Sequence, residues 1–470
     1  MMVVRCAVVF ACLFALLGAG PALGDSFTEL KDDLDQLRKD AGVAGALVMI
    51  VDKDGIRHAA GLGVTHWDQP KPMHPDVWVR IGSITKAFVG MAFVRLEGEG
   101  KLSLTDTLAA LNADRWVQNP WAQQHPVTIA QLLEHSAGLT DMVREEWDHN
   151  VPLPLTEALK VAPESRRLKW PPGVHSSYSN SGAGVAAAAM EKHLKRDFET
   201  YLTDQVLRPL GMDEATFSAA VKPELIGGYD RDGKTPIRYW HMLYRPFGAL
   251  NLPFAELSRW LRLMLGEGVL DGKRHYTAEQ LRRMENPATT AAAGGGLVFG
   301  YGLGNYHQVH RGFVFHGHGG DADGYLTHCA YNRDAGLGFC VLINAFQGST
   351  LRAMRRRVMD FVVDGLTPSF TPGVPQPMAH LESLTGRYTQ VTQRFPGSQA
   401  RPSLEVTLRD GRLMLVRSSG EQHLVPLSRW HFRRRFEPVA TTAFIPLDGT
   451  MLLQGPFGNF ERSQERQPQQ

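Results

Sequence analysis

Residues 79–104 read VRIGSITKAFVGMAFVRLEGEGKLSL, a short polar segment that runs into an apolar one. The apolar side chains recur at helical spacing, at Phe88, Val89, Ala92, Phe93 and Leu96. Gly100 is typical of the glycine that ends a helix. The pattern therefore predicts a helix in which Ser83 lies at the start and Lys86 follows three residues later on the same face.

This serine and this lysine can together perform nucleophilic catalysis. A serine hydroxyl is a weak nucleophile until another group takes its proton. Burial lowers the pKa of a lysine ammonium, so a buried lysine can be that group, and the positive end of the helix dipole favours a developing oxyanion. Residues 83–86 are the only Ser-x-x-Lys in the chain. The structural alternative is a helix-capping serine beside a surface lysine.

A second candidate group lies in the loop that follows Trp170-Pro171-Pro172-Gly173. Tyr178-Ser179-Asn180 is the only Tyr-x-Asn in the chain, and a helix is predicted from about Gly182. A tyrosine held in such a loop can relay protons, and an asparagine amide can donate to a substrate carbonyl. The alternative is an ordinary loop tyrosine with an asparagine that caps the helix.

The order and context of these motifs resemble the serine β-lactamase and penicillin-binding protein superfamily, in particular its class C-like branch of β-lactamases, D-amino-acid peptidases and carboxylesterases. Connecting segments are also similar to that branch, namely GKLSLTDTL (100–108), VTIAQLLEHSAGL (127–139), LRPLGMDEATF (207–217) and YGLGNY (301–306). The resemblance covers roughly residues 30–365. One departure is HSAG at 135–138, where the branch more often carries a threonine and a serine between the histidine and the glycine, in a loop expected to be structural.

The resemblance implies a role for each matching residue. Ser83 would be the acylated nucleophile, Lys86 would activate it and share its proton, and Tyr178 would be the general base. Asn180 would orient the substrate and Lys86. The oxyanion hole would consist of two backbone N–H groups, that of Ser83 and that of Asp321, the residue after the third motif.

That third motif is Lys-Thr-Gly in most of the superfamily and His-x-Gly in some members. This chain has no Lys-Thr-Gly, but the triplets at 310–312 and 318–320 both fit His-x-Gly. The second lies in FHGHGGDADGY, residues 315–325, after an apolar strand and before a turn. The residues that we therefore assign to substrate binding are His318, Gly319 and Gly320.

The same stretch raises the alternative of a metal site. His316, His318 and Asp321 resemble zinc ligands, because histidines at i and i+2 on a strand can bind zinc. Zinc hydrolases of the metallo-β-lactamase fold carry His-x-His-x-Asp-His early in the chain, whereas this stretch lies late and has a glycine at the first aspartate position. We predict no metal and no cofactor, with a zinc hydrolase as a rival hypothesis and His316 as a strand residue beside the cleft.

Hydrophobic patterns around these motifs predict an α+β fold. Residues 45–63 contain an apolar strand, an Asp54-Gly55 turn and a second strand, which predicts a β-hairpin, and residues 312–345 predict three strands in succession. Helical periodicity dominates from about 80 to 215, and residues 351–366 predict a final amphipathic helix. The pattern predicts one antiparallel sheet flanked by helices, with an inserted helical region, which is also the fold that the resemblance implies.

Composition along the chain predicts four parts. Residues 1–24 have one early arginine, an apolar run too short to span a membrane and small residues before Asp25, which predicts a secretory signal peptide. A hydrolase domain would cover 25–365, and a proline-rich linker would follow at 366–378. Short strands with Asp-Gly turns predict a small all-β domain over 379–470, in which no cluster of catalytic residue types stands out and whose role stays open.

Two cysteines, Cys329 and Cys340, remain after removal of the predicted leader. They flank a predicted hairpin turn at Asp334-Ala335-Gly336, which would set them opposite each other on neighbouring strands. Export would allow a disulfide. Cross-strand bridging needs particular geometry, however, which favours two buried thiols.

The formal net charge of +2 gives no reason to expect nucleic acid or an anionic membrane as a partner. We predict an exported, periplasmic or extracellular serine hydrolase that forms an acyl-enzyme on amide, ester or β-lactam carbonyls of a small-molecule or peptide substrate. A third-motif histidine weakens the fixed charge that would hold a substrate carboxylate, which favours a peptidase or esterase. The rival of another class is a non-catalytic sensor. The sequence decides neither the oligomeric state nor the charge of His318.

Overall fold

The structure is a computed structural model, and it describes residues 23–217, 225–322, 324–397, 401–447 and 449–463. The predicted signal peptide lies outside these residues, apart from its last two, which begin the first helix. No helix within these ranges has the length and the apolar character needed to cross a membrane.

A six-stranded antiparallel sheet forms the centre of the larger domain. Its strands in chain order are β1 (Gly45–Val51), β2 (Ile56–Gly63), β3 (Tyr306–His310), β4 (Phe313–Asp321), β5 (Leu326–Asn332) and β6 (Leu337–Ile343). They lie in the order β3-β4-β5-β6-β1-β2, so the N-terminal hairpin pairs with the last of the four later strands. The sheet joins two parts of the chain that are distant in sequence, as predicted.

Helices cover the sheet and fill the region between its two parts. In chain order they are α1 (Leu23–Asp40), α2 (Thr85–Gly98), α3 (Ile129–Leu133), α4 (Leu155–Ala158), α5 (Asn180–Leu194), α6 (Phe198–Leu202), α7 (Leu257–Leu265), α8 (Ala278–Glu285), α9 (Ala291–Gly294), α10 (Gly348–Val362) and α11 (Met378–Ser383). A short strand, Trp78–Arg80, pairs with Asn251–Pro253 just before α2. This architecture confirms the predicted α+β fold.

Strand β1 is buried on both faces of the sheet. Alternate side chains of a strand point to opposite faces, and those of β1 divide between two apolar cores. The odd-numbered residues from Leu47 to Val51 pack in the core that contains α2 and α7. The even-numbered residues from Ala46 to Ile50 pack in the core that contains α1 and α10. The apolar run of β1 therefore holds helices on both sides of the sheet.

Helix α2 carries the candidate nucleophile into the protein interior. Its residues from Thr85 to Val94 are all buried, so the helix is enclosed by protein around its whole circumference. The regular helix begins two residues after Ser83, which lies in a single 3₁₀ turn over Gly82–Ile84. The helix ends as predicted, before a left-handed Gly100 with φ +66°.

The C-terminal part forms a closed barrel of eight antiparallel strands. In chain order they are β7 (Gly386–Gln390), β8 (Ser403–Arg409), β9 (Arg412–Arg417), β10 (Gly420–Pro426), β11 (His431–Arg434), β12 (Thr442–Leu447), β13 (Thr450–Gly455) and β14 (Gly458–Arg462). Pairing of β7 with β14 closes the barrel around its own apolar core. The predicted all-β domain is confirmed.

The chain between α10 and α11 runs along the barrel surface. Thr371 N–H donates to the Pro438 carbonyl at 2.8 Å, and Val374 N–H donates to the Pro426 carbonyl at 2.8 Å. These two hydrogen bonds hold the predicted linker segment, residues 366–378, against the barrel.

Cys329 in β5 lies directly opposite Cys340 in β6, as predicted, and the two form a disulfide. The expectation of two free thiols is therefore wrong. The register is the physical reason, because direct opposition on adjacent strands brings the two side chains together. Cys329 also pairs with His318 on its other side, so the bridge lies next to the third motif.

We expect thiol titration to detect this disulfide. The denatured chain that begins at Asp25 should contain no free thiol before reduction and two after it. Replacing both cysteines with alanine removes the cross-link and should lower the free energy of unfolding by about 2–4 kcal/mol in urea. Two thiols before reduction would contradict the bridge.

Candidate active site

Ser83 lines a cleft, in the turn that joins the strand Trp78–Arg80 to α2. The turn depends on Gly82, which adopts a left-handed φ of +53°. A Cβ at Gly82 would collide with the backbone of Asp321, so glycine allows the turn to approach the end of β4. Thr85 Oγ1 donates to the Gly82 carbonyl at 2.7 Å and secures the turn.

Lys86 is buried beside Ser83, with 4% of its surface exposed. Its Nζ lies 3.0 Å from Ser83 Oγ, 2.8 Å from Asn180 Oδ1 and 2.8 Å from the Phe247 carbonyl oxygen. Burial lowers the pKa of Lys86 well below its ordinary value of 10.5, although the charge of Asp141 raises it in part. A neutral amine has two N–H donors and one lone pair. The donors match the Asn180 and Phe247 oxygens, and the lone pair matches the hydroxyl of Ser83.

Tyr178 approaches the same hydroxyl from the loop before α5. It hydrogen-bonds Ser83, and its ring lies 5.0 Å from Lys86 Nζ. Burial raises the pKa of Tyr178 above its ordinary value of 10.0, although the Ser83 hydrogen bond and the charge of Arg394 lower it in part. Tyr178 is therefore a neutral phenol in the resting site, and the pKa of Lys86 is the one shifted towards a base. The predicted role of Tyr178 as general base is untested, and these two pKa shifts favour Lys86 as the base instead.

His135 supports Tyr178 from the loop that departs from the superfamily pattern. Its ring centroid lies 4.2 Å from that of Tyr178. Its carbonyl accepts from Ser177 N–H at 2.8 Å, and its Nδ1 accepts from Ser179 N–H at 3.3 Å. Burial lowers the pKa of His135 well below 6.5, so the ring is neutral and Nδ1 is free to accept. The loop therefore has a structural role, because His135 holds residues 177–179 and the ring of Tyr178 in position.

Asn180 begins α5 and is oriented by Asp141, a residue that the sequence did not indicate. Asn180 N–H donates to Asp141 Oδ1 at 2.9 Å, and Asn180 Nδ2 donates to Asp141 Oδ2 at 3.3 Å. Because a carboxylate only accepts, the amide must turn its Oδ1 towards Lys86. Asp141 is buried, with 1% of its surface exposed, and belongs to no motif.

The end of strand β4 lies against the serine turn. Strand β3 pairs with β4 as far as Gly317, and residues 318–321 extend past the end of β3. A Cβ at Gly320 would overlap the Ile81 carbonyl oxygen, so the two segments touch through their backbones. The alternative triplet, residues 310–312, forms the β3–β4 turn at the opposite end of the strand.

Burial favours the neutral form of His318, and both of its ring nitrogens have partners. Nδ1 lies against the Gly319 carbonyl, which only accepts, so Nδ1 carries the proton. Nε2 accepts from the Tyr301 hydroxyl at 2.7 Å. Burial, and then the charge of Lys86, lower the pKa of His318 to about 3. This decides the charge that the sequence left open.

His316 packs among aromatic rings on the same strand. It stacks on Tyr331 at 5.6 Å and lies 4.5 Å from the ring of His307, and burial lowers its pKa to about 2. Across the part of the chain that the structure describes, no group of three or more His, Cys, Asp or Glu side chains is arranged to hold a metal ion.

Aromatic rings and two arginines line the cleft around Ser83. Besides Asn180 and Asp321, the lining includes Trp147, Trp240, Phe247, Arg144, Arg394 and Phe395. Arg394 and Phe395 come from the chain after β7, in the C-terminal part. The predicted all-β domain therefore contributes to the site, although the sequence indicated no functional residue in it.

Two hydrogen bonds hold the segment 391–395 along the tyrosine loop. Trp170 Nε1 donates to the Val391 carbonyl at 2.8 Å, and Asp141 N–H donates to the Arg394 carbonyl at 2.6 Å. Both bonds end on backbone carbonyls, which any residue type supplies. No sequence pattern could have indicated them.

Comparison with known proteins gives one family match. Residues 30–364 match the family model described as Beta-lactamase. Protein flp of Staphylococcus aureus strain MW2 is 24% identical over 309 residues, which are 64% of this chain and 60% of that protein. The chain thus spans 60% of the length of this relative.

Two solved structures share the fold. The crystal structure of SurE with D-Leu aligns with a TM-score of 0.60 at 20% identity, and covers 94% of this chain and 100% of that chain. D-alanine carboxypeptidase AmpC from Burkholderia cenocepacia aligns with a TM-score of 0.55 at 19% identity, over 71% of this chain and 99% of that chain. At these identities the likeness concerns the fold.

Gly320→Ala tests the contact between β4 and the serine turn. The added methyl group would overlap the Ile81 carbonyl oxygen, so strand and turn must separate. We expect the free energy of unfolding, measured in urea, to fall by about 1–3 kcal/mol. Gly55→Ala is the matched control, because a Cβ there meets no atom within 4 Å. Equal losses in the two variants would contradict this packing.

Proposed function

Because this chain belongs to the Beta-lactamase family, as its motifs predicted, we propose that it is an exported serine hydrolase that acts through an acyl-enzyme. Its substrates carry an amide, ester or β-lactam carbonyl. One observation carries the proposal: Lys86, with a lowered pKa, and Tyr178, a neutral phenol, both contact the hydroxyl of Ser83.

In the first step Lys86 takes the proton of Ser83. The distance of 3.0 Å between Nζ and Oγ supports direct transfer, and the lowered pKa supports a neutral amine as acceptor. Ser83 Oγ attacks the substrate carbonyl carbon, and the carbonyl oxygen takes the negative charge. The N–H groups of Ser83 and Asp321 stabilise this oxyanion, a role supported by the contact of their two backbone segments at Gly82.

In the second step Tyr178 protonates the leaving group. The phenol gives its proton to the departing nitrogen or oxygen as the acyl bond breaks, and the resulting phenolate takes a proton back from the neighbouring Lys86 ammonium. The Ser83 ester remains. In deacylation a water molecule attacks the ester and loses one proton through Tyr178 to Lys86, and Lys86 returns that proton to Ser83. All three side chains regain their starting states.

The walls of the cleft favour apolar acyl groups. Trp147, Trp240 and Phe247 supply aromatic surface, and burial of the third-motif His318 favours its neutral form. The lack of a third-motif cation supports a peptidase or an esterase rather than an efficient β-lactamase. Two of the solved structures with this fold are described with D-Leu and as a D-alanine carboxypeptidase, so D-amino-acid peptides are the first substrates to test.

Export is part of the proposal. The leader-like sequence of residues 1–24 supports it, and so does the Cys329–Cys340 disulfide, because disulfides persist in oxidising compartments. The mature chain would begin at Asp25, in the periplasm or outside the cell. N-terminal sequencing of the protein recovered from that compartment tests this start; an uncleaved chain would contradict it.

A fluorophosphonate and a fluorescent penicillin test the hydrolase function. We expect the fluorophosphonate to label Ser83 with or without a chelator, located by mass spectrometry, and the protein to hydrolyse a neutral p-nitrophenyl ester. A stable penicillin adduct without turnover of any ester or amide would favour the non-catalytic sensor. Activity abolished by the chelator would overturn the serine mechanism in favour of a zinc hydrolase.

Lys86→Arg keeps a positive charge at this position but removes the proton acceptor. Arginine stays protonated in proteins, so we expect labelling and turnover to fall by about 10²- to 10⁴-fold. The wild-type labelling rate should rise with pH as Lys86 loses its proton, with an inflection well below 10.5, because burial lowers this pKa. Lys101→Arg, on the exposed surface after α2, is the matched control. An active Lys86→Arg variant with the wild-type pH profile would exclude Lys86 as the base.

A further inference from the structure

The cleft has no cation in the position where the third motif would supply one. His318 is neutral, and its ring nitrogens are engaged by Gly319 and Tyr301. Lys86 is buried and bonded to three partners. A substrate carboxylate in this cleft would therefore need a positive charge from another part of the chain.

Arg394 supplies a positive charge from the barrel domain. It lines the cleft together with Ser83, and 46% of its side chain is exposed. Its Nε donates to Asp141 Oδ2 at 2.9 Å. The guanidinium lies over the rings of Tyr178 and Phe395, with its Cζ 4.6 Å and 4.8 Å from their centroids. One ion pair and two rings therefore fix the side chain before any ligand binds.

The outer part of this guanidinium is available to a ligand. Arginine carries five N–H donors in a planar fork, and the Nε–H of Arg394 is the one that Asp141 takes. Among the described residues, the two terminal nitrogens of Arg394 have no hydrogen-bond partner. Two parallel N–H groups match the two oxygens of a carboxylate, which gives a strong bidentate contact.

Arg144 is the other cation on the cleft wall, and it is less organised. It lies in a short 3₁₀ turn and is exposed. Within the described chain, no hydrogen bond, ion pair or ring contact fixes its guanidinium. Binding through Arg144 would have to order a long side chain, whereas Arg394 is already ordered.

We propose that Arg394 binds the carboxylate of substrates that are acylated at Ser83, in place of a third-motif lysine, and so makes the barrel domain part of the active site. This inference rests on the proposed hydrolase function and adds the residue that selects among its substrates. The favoured substrates carry a free carboxylate beside the scissile carbonyl, as a peptide with a free C-terminus does.

A matched pair of esters tests the selection. The substrates are N-acetyl-D-alanyl-D-lactate, whose leaving group carries a free carboxylate beside the scissile ester, and N-acetyl-D-alanyl-D-lactamide, its neutral partner. We expect the wild type to prefer the carboxylate ester in kcat/KM. Arg394→Gln should remove this preference by raising KM for the carboxylate ester about 10- to 100-fold. Arg394→Lys should restore part of it, because the charge returns without the fork.

The ratio of the two esters is the readout, because Arg394 also contacts Asp141 and lowers the pKa of Lys86. Losing those effects would slow both esters alike. Arg409→Gln, an exposed barrel arginine paired with Glu421, makes the same charge change away from the cleft and should leave the ratio unchanged.

Four results would overturn the inference: equal slowing of both esters in Arg394→Gln, no effect in that variant, a wild type without preference, or a preference removed by Arg144→Gln instead. In each case Ser83 still reacts with the fluorophosphonate and the neutral ester is still hydrolysed, so the proposed function survives. If neither labelling nor hydrolysis occurs in the wild type, the proposed function fails and the inference fails with it.

Discussion

The burial of the Lys86 amine is the constraint on which the rest of the cleft depends. A charged ammonium is costly in a protein interior, and a neutral amine still needs partners for its N–H groups. Asn180 on α5 and the Phe247 carbonyl, in the turn Arg245–Phe247, meet that need. Because α2 is enclosed on all sides, the amine cannot turn to water. Burial therefore shifts the amine beside Ser83 towards its neutral, proton-accepting form.

Desolvation also shifts the other titratable groups of the site towards their neutral forms. Burial disfavours the charged form of a base and of an acid alike, so it lowers the pKa of lysine and histidine and raises that of tyrosine. The buried groups moved towards neutrality in this way are Lys86, Tyr178, His135 and His318. These four groups therefore favour their neutral forms around Ser83.

Asp141 joins this neutral site to the barrel domain. Its carboxylate accepts from Asn180, which orients Lys86, and from Arg394 of the barrel. A buried carboxylate is tolerated when such donors surround it, and removing one of them leaves the charge uncompensated. The C-terminal domain is thus connected to the Lys86 amine through Asp141 and Asn180, and its Arg394 lines the cleft.

The sequence by itself determined the local features. The spacing of Ser83 and Lys86 brings them together within one helical turn, and strand-like apolar runs at both ends of the region, with helices between them, indicated the antiparallel sheet. The apolar strand before His318 and the turn after it were the reasons to choose it over the earlier triplet. Tertiary structure alone decided the partnership of Asp141 and Arg394, which are 253 residues apart in sequence and form no motif. It also decided the disulfide and the charge of His318, because register and burial are properties of the packed molecule and not of a short stretch of chain.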